Sequence, residues 1–530
     1  RLSADMSLNG KGFDPNEMET SLLANVDLFE FKDYPYQGTK IDGSISKGNF
    51  IGELQINDPN LKFDFNGQAS LNREISQYDF KAKLDTANLF ALNLSTDSIS
   101  NISSEMDINF KAKNYDRWQG TIKVHNTGVR NSKDSYFFED IVVESNSFQD
   151  SNKYINVESN ILDLEIKGEY TLAKIRDAFA FHFQKYNSLG TKEIMAPVAD
   201  FSFDMLVKDM KVISEVFIPE LWVEPNSKIS GRYFTDLALL DFNLNSPGIE
   251  YKQNILEAID LKYFSSEQSS KITFDIFYAS LANGLQIDSL ILANQLRGDS
   301  LFFDFNCAIR DSIRSDIDLL GYAVKSPEQG YNFGLRESSF NIGEEDFFFN
   351  DKNLIHIDTG GVYIEDLILY GDGEKILVNG NISKSQYEVL RVDIEGFNMD
   401  LVNYFIGSEK SKFRGEIHGG IILSQSLTDH PRFASNLYVD SLSVNENLLG
   451  DMSLLSNWIY GSNKIPIDLN IASDSLKLFE LKGDYYVNAE EELDMKLKFN
   501  RFKLFIFNPF IEGIGENLRG FANGDLIVKG

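Results

Sequence analysis

The sequence predicts an all-β chain with a few short amphipathic helices. Apolar and polar residues alternate at period 2 almost from end to end, turn signals recur at short intervals, and only 11 prolines occur in 530 residues. Alternation at period 2 gives strands with one dry and one wet face. Taken in order, Leu61, Phe63 and Phe65 point one way while Lys62, Asp64 and Asn66 point the other. Met106, Ile108 and Phe110 repeat the pattern, as do Ile272, Phe274, Ile276 and Tyr278, then Leu301, Phe303, Phe305, Cys307 and Ile309. Leu390, Val392 and Ile394, and finally Met495, Leu497 and Phe499, continue it. Turns are read at Asp42-Gly43, Lys47-Gly48-Asn49, Asp58-Pro59-Asn60, Asn66-Gly67, Asp372-Gly373, Asn379-Gly380 and Asn523-Gly524. At about 10 to 12 residues per strand and turn, roughly 45 strands are expected.

The clearest helix is predicted from Thr171 to Asn187, where Leu172, Ile175, Phe179, Phe183 and Tyr186 recur at near-helical spacing. Shorter helices are expected at Met210 to Phe217 and Met399 to Ile406, ending near Pro219 and Gly407. A loose repeat joins an alternating strand, a short apolar segment and a Gly-bearing strand, with copies starting at 80, 201, 390 and 495. The starts are unevenly spaced, so the chain is read as one continuous sheet over 1–530 with pseudo-repeats 1–79, 80–200, 201–389, 390–494 and 495–530.

Lys+Arg of 50 against Asp+Glu of 80 gives a net charge of −30. That excludes a protein that tracks phosphates of nucleic acid, which needs clustered cations. A single cysteine, Cys307, excludes intrachain disulfides and CxxC zinc knuckles. It alternates with Phe305 and Ile309, so a buried, inert thiol is expected. His125, His182, His356, His418 and His430 show no metal-ligand spacing, and no nucleophile elbow or phosphate-binding loop is present. The chain is therefore read as a non-enzyme without cofactor or metal. Gly371-Asp-Gly-Glu374 and Gly343-Glu-Glu-Asp346 lack calcium-loop spacing and read as solvated turns. The start at Arg1, without initiator Met or leader, reads as an internal segment.

A long apolar face must be covered by a partner sheet or by something that is not this protein. An open flat sheet of that many strands is not expected, whereas strong curl would turn the dry face into the floor of a trough. Such a floor suits acyl chains. A diacyl lipid carries on the order of 30 methylenes at about 0.8 kcal/mol each, so its naked passage through water costs roughly 25 kcal/mol. The lining residues of that trough are expected to be those of the alternating segments: Leu61, Phe63, Phe65, Met106, Ile108, Phe110, Ile272, Phe274, Ile276, Leu301, Phe303, Phe305, Ile309, Leu390, Val392, Ile394, Met495, Leu497 and Phe499.

Several segments carry a family resemblance. They are Gly10-Lys-Gly-Phe-Asp-Pro15, Asp58-Pro-Asn-Leu61, Ala87-Asn-Leu-Phe-Ala-Leu-Asn-Leu94 and above all the ending from Phe502 to Gly530, with Leu518-Arg-Gly-Phe-Ala-Asn-Gly-Asp-Leu-Ile-Val-Lys-Gly530. The chain resembles the TamB family of AsmA-like, bridge-like lipid-transfer proteins, of the Bacteroidota type. The resemblance implies a U-shaped, β-taco groove that carries phospholipid acyl chains across the periplasm between inner and outer membrane. It also implies an inner-membrane anchor outside this segment and an Omp85-type outer-membrane partner met by regions beyond it, in outer-membrane biogenesis. An extracellular β-rich adhesin or glycan-binding protein, and a carbohydrate-active β-solenoid enzyme with carboxylates paired across coils, are the other readings left open.

Overall fold

In the computed structural model the described residues are all except 13, 15–16, 71–74, 96–100, 132–133, 149–152, 187–198, 238, 311–313, 328, 344, 402, 404–411, 429–430, 446, 459–461, 475, 488–491 and 507–517. Side chains of 183–186 also fall outside the description, as does His430. The chain divides into two compact units, Arg1–Ser289 and Leu290–Gly530.

Period-2 patterning yields antiparallel strands throughout. Unit 1 holds β1 (Leu2–Lys11), β2 (Glu19–Phe31), β3 (Tyr34–Ser46), β4 (Asn49–Asp58), β5 (Leu61–Ser70), β6 (Ser76–Ala87), β7 (Asn101–Asn114), β8 (Arg117–Arg130) and β9 (Ser135–Asn146). There follow β10 (Lys153–Ser159), β11 (Leu162–Glu169), helix α1 (Leu172–Tyr186), β12 (Asp200–Val207), β13 (Leu221–Val223), β14 (Lys228–Phe234), β15 (Leu239–Tyr251), β16 (Asn254–Ser265) and β17 (Ser269–Ser280). Strand β18 (Gln286–Arg297) contains the division between the units. From β1 to β17 each strand pairs with its sequence neighbours, except that β12 pairs with β14 and the short β13 lies beside β15.

Unit 2 continues with β19 (Ser300–Arg310), β20 (Arg314–Lys325), β21 (Tyr331–Ile342), β22 (Glu345–Phe349), β23 (Leu354–Ile357), β24 (Gly361–Tyr370), β25 (Lys375–Ser383), β26 (Val389–Asn398) and β27 (Phe413–Ser424). It ends with β28 (Arg432–Val444), β29 (Asn447–Ser456), β30 (Lys464–Ser473), β31 (Leu476–Tyr486), β32 (Leu493–Lys503) and β33 (Phe521–Lys529). Strands β22 and β23 share the space between β21 and β24 as one interrupted strand.

The described residues form 33 strands against the roughly 45 expected, because many strands run to 12 to 14 residues before their turns; in addition, four glycine signals read as turns lie inside strands. Gly43 is in β3, Gly67 in β5, Gly380 in β25 and Gly524 in β33. Lys47-Gly48, Pro59-Asn60 and Asp372-Gly373 do lie in turns. For Gly43, Gly67 and Gly380 the physical reason is close approach rather than chain reversal. At Gly67 (φ 148°) a Cβ would sit 2.6 Å from the Cβ of Phe80 on the next strand, and at Gly120 (φ 140°) 2.7 Å from that of Phe110. A side chain at either position would clash with the neighbouring strand and strain the backbone. In unit 2 the ring of Phe303 lies over Gly321, its partner in register, so aromatic rings occupy the space that glycines vacate.

Sequence-neighbour pairing brings like residues into register. In unit 1 one row runs Leu8, Leu22, Gly43, Gly52, Gly67, Phe80, Ile108, Ile122, Val143 across β1 to β9. It continues through Val157, Leu164, Met205, Ile229, Leu244 and Leu261 to Phe274 on β17. In unit 2, Leu437, Leu454, Leu469, Leu481, Leu497 and Leu526 form a leucine row from β28 to β33. No polar residue interrupts either row.

Unit 2 also carries a recurring bulge. Glu337, Asp366, Gly396, Ser441 and Arg501 each have positive φ at a register shift. Each donates its backbone N–H to a side chain beyond its own strand: Asp351 Oδ1 (2.9 Å), Asn379 Oδ1 (2.6 Å), His418 Nδ1 (3.2 Å), Asp451 Oδ1 (3.0 Å) and Asn523 Oδ1 (2.8 Å) respectively. The amide freed by a bulge thus regains a partner. Asn379-Gly380 and Asn523-Gly524 are the acceptor and the following mid-strand glycine of this device.

Candidate functional site

The candidate site is the apolar face, and its burial is uneven. In unit 1, α1 lies on the sheet with Leu172, Ile175, Ala178 and Phe179 packed against Tyr170, Phe201, Tyr233 and Leu240. The helix starts where Asp116, in the β7–β8 turn, accepts the Leu172 N–H at 2.7 Å, which places an anion at its positive end. His182, buried on α1, meets the Ser265 hydroxyl at 2.8 Å and the Tyr263 hydroxyl at 3.1 Å. Under this cover Phe201, Tyr233 and Leu240 are 3%, 1% and 0% exposed. Burial pushes the Tyr170 phenol well above its usual range, with Asp116 adding to the shift, and its hydroxyl has no hydrogen-bond partner.

Short apolar turns seal the rims. Residues 88–94 put Leu92 against Tyr36 and Ala87, and the π-helical turn Ile213–Phe217, with Val212, packs on Val129, Tyr136, Phe138 and Ile161. In unit 2 the 3₁₀ turn Met399–Leu401 contributes Met399, and Phe505 and Ile506 follow β32, against Val439, Leu442 and Phe502. The predicted helix at 210–217 is therefore a π-turn. Of Met399 to Ile406 only the first turn and Asn403 lie in the described residues.

Away from these covers the face is half-buried. Leu54, Phe65, Phe80 and Ile122 stay partly exposed, although the Phe65 and Phe80 rings meet at a 42° tilt with centroids 4.8 Å apart and the Phe50 ring lies 6.1 Å from that of Phe65. All the residues expected to line a trough lie on strands. Ile108, Ile276, Leu390 and Met495 are buried. Leu61, Phe63, Phe65, Met106, Phe110, Ile272, Phe274, Leu301, Phe303, Phe305, Ile309, Val392, Ile394, Leu497 and Phe499 are half-buried. Register joins several directly: Phe65, Ala82 and Met106 are successive partners, as are Leu261 and Phe274, and Leu481 and Leu497.

The opposite face is charged. Cross-strand pairs such as Lys81–Asp107 (3.4 Å), Lys482–Asp468 (3.0 Å) and Lys496–Asp525 (3.2 Å) are exposed, each worth about 0 to 1 kcal/mol. A hollow of about 780 Å³ opens over β2 to β8 and is lined mainly from this polar face, by Asn25, Gln55, Asn66, Lys83, Glu105 and His125 among others. The alternation did not signal this location.

Cys307 is buried beside Ala308, and burial raises its thiol pKa, with Asp316 adding to the shift. The two acidic turns read from sequence are neighbours: Asn398 donates its backbone N–H to Glu374 (2.8 Å) and its side-chain N–H to Glu345 (3.0 Å). Burial raises the Glu374 carboxyl, and the charges of Glu345, Glu416 and Asp372 push the same way. Among the described residues no group of His, Cys, Asp and Glu is placed to hold a metal ion. None of the described helices is long and apolar enough to cross a membrane. No family model, no curated protein and no solved structure matches the chain.

Proposed function

We propose that the chain is part of a lipid-transfer conduit, in which the apolar sheet face carries phospholipid acyl chains and the charged face stays in water. The observation that carries this reading is burial without closure. Inner-face residues of two sheets packed together would be sealed, as Leu240 is beneath α1, whereas Phe65, Phe274 and Phe305 remain half-buried, Phe274 on a continuous apolar row. A run of paired strands as wide as that from β1 to β17 is expected to curl, and the curl of a U-shaped groove would crowd these side chains without covering them. Neighbouring strands present like residues, so a hydrocarbon chain shifted by one strand exchanges similar contacts, and passage meets a low barrier.

The reading places the protein with the TamB-like conduits, in the periplasm, anchored at the inner membrane and serving outer-membrane biogenesis with an Omp85-type partner, through regions other than this segment. No catalytic step or cofactor is part of it. Lipid extraction and mass spectrometry of the purified chain test it: co-purified phospholipid, lost in Phe65→Asp and Phe274→Asp chains that stay folded, is the expected result. Lipid-free protein that also fails to take up a fluorescent fatty acid overturns it.

A second reading, glycan binding, is favoured by the polar hollow over β2 to β8, whose carboxylates and amides suit hydroxyl groups. Retained glycan on lipid-free protein would select it.

A further inference from the structure

We propose that a pocket at one rim of unit 1 binds an organic primary ammonium group. The pocket, of about 480 Å³, lies where the π-turn Ile213–Phe217 meets the start of β9, β13 and the end of β15. At roughly 30 Å³ per water molecule it has room for about sixteen waters, far more than a bare metal ion needs. π-helical turns break the regular backbone ladder and occur frequently at functional sites.

Ser214, on that turn, supplies the directing observation. It lines the pocket, is only 6% exposed, and its hydroxyl has no hydrogen-bond partner. A buried hydroxyl left unpaired costs stability unless a ligand satisfies it. The charge around it is one-sided: Asp134, Glu215, Glu220 and Glu250 line the pocket against Lys252, whose ammonium already faces Glu220 at 3.9 Å. Trp222 adds an aromatic wall, its indole N–H held by Glu224 at 3.0 Å.

The chemistry follows from these groups. The carboxylates only accept hydrogen bonds and the Ser214 hydroxyl can accept as well as donate, so a donating ligand suits all of them; the net negative lining favours a cation, and so does the indole face. A primary ammonium on a short carbon chain meets all three requirements. A quaternary ammonium has no N–H for Ser214, and a neutral sugar leaves the carboxylates uncompensated. The ammonium could belong to an amino-alcohol headgroup of a lipid or to a soluble amine. The site does not depend on the apolar-face reading.

Calorimetric titration of the full chain with ethanolamine hydrochloride tests this, beside tetramethylammonium chloride and glucose at constant ionic strength. Saturable ethanolamine binding is expected, weakened at least ten-fold by Ser214→Ala and by Glu250→Gln, with tetramethylammonium much weaker and glucose inert. Ser214→Ala removes an unpaired buried hydroxyl, so its melting temperature should hold or rise, separating lost binding from lost fold. Phe65→Asp should leave ethanolamine binding unchanged whether or not lipid is carried. No saturable binding, stronger binding of glucose, or an affinity in both pocket variants unchanged from that of the native chain overturns the proposal. Comparing dihexanoyl phosphatidylethanolamine below its micelle concentration with putrescine selects the source: whichever binds tighter supports the site and names the lipid or the soluble amine.

Discussion

Two stretches of one face in unit 1 carry similar side chains and reach different ends. Beneath α1, Phe201, Tyr233 and Leu240 are sealed, with Phe201 and Tyr233 rings 5.7 Å apart. Over β4 to β8 the Phe65 and Phe80 rings approach to 4.8 Å between centroids, yet both rings, and Leu54 and Ile122 beside them on this face, remain half-exposed. Strand composition does not separate them; a helix lying on one and not on the other does. Where the protein supplies its own cover the face acts as a core, and elsewhere it stays half-exposed. Under the proposed function, stability and acyl-chain binding would fall to different parts of the same surface.

Charge insertion should split the two stretches most widely. Leu240→Asp buries an unpaired carboxylate and should unfold unit 1, a loss on the order of 5 kcal/mol or more seen as lost near-ultraviolet dichroism. Phe65→Asp should cost no more than about 2 kcal/mol while abolishing fatty-acid uptake, because its carboxylate can reach water. Equal unfolding of both would show that the second stretch is also a sealed core.

Truncation sharpens the contrast at smaller scale. Phe201→Ala should lose about 3 to 5 kcal/mol through a cavity under α1, against about 1 to 2 kcal/mol for Phe65→Ala, read from urea midpoints. Asp116→Ala removes the acceptor at the start of α1 and should cost about 1 kcal/mol. The loss should appear as faster hydrogen exchange confined to the helix and the strands beneath it, with β4 to β8 unaffected. The smallest effect has the opposite sign: Tyr170→Phe deletes a buried hydroxyl that has no partner and should raise the melting temperature by an amount equivalent to about 1 kcal/mol or less.

The dry and wet faces were legible from alternation alone, since Phe63 and Phe65 against Lys62 and Asp64 leave one arrangement for a half-buried strand. So was α1, from Leu172, Ile175 and Phe179. Glycine was misread because a local rule was applied to a non-local cause: Asn66-Gly67 looks like a hairpin turn, but Gly67 answers to Phe80, thirteen residues on and one strand away. The bulge acceptors Asn379 and Asn523 carried the same false signal. The rim pocket had no sequence signature, because Asp134, Ser214, Trp222 and Glu250 are united only by the pairing of distant strands, and an unpaired hydroxyl cannot be seen before its surroundings are.

The bulges of unit 2 have a consequence for assembly of the meander. Strands bearing nearly interchangeable apolar residues could dock one pair out of step at little energetic penalty. A side-chain acceptor waiting for one displaced amide, as Asn523 waits for Arg501, works like the notch of a key: an offset neighbour leaves both groups unmatched. Proofreading of alignment is thereby written hairpin by hairpin into polar atoms, and the greasy surface is free to be monotonous.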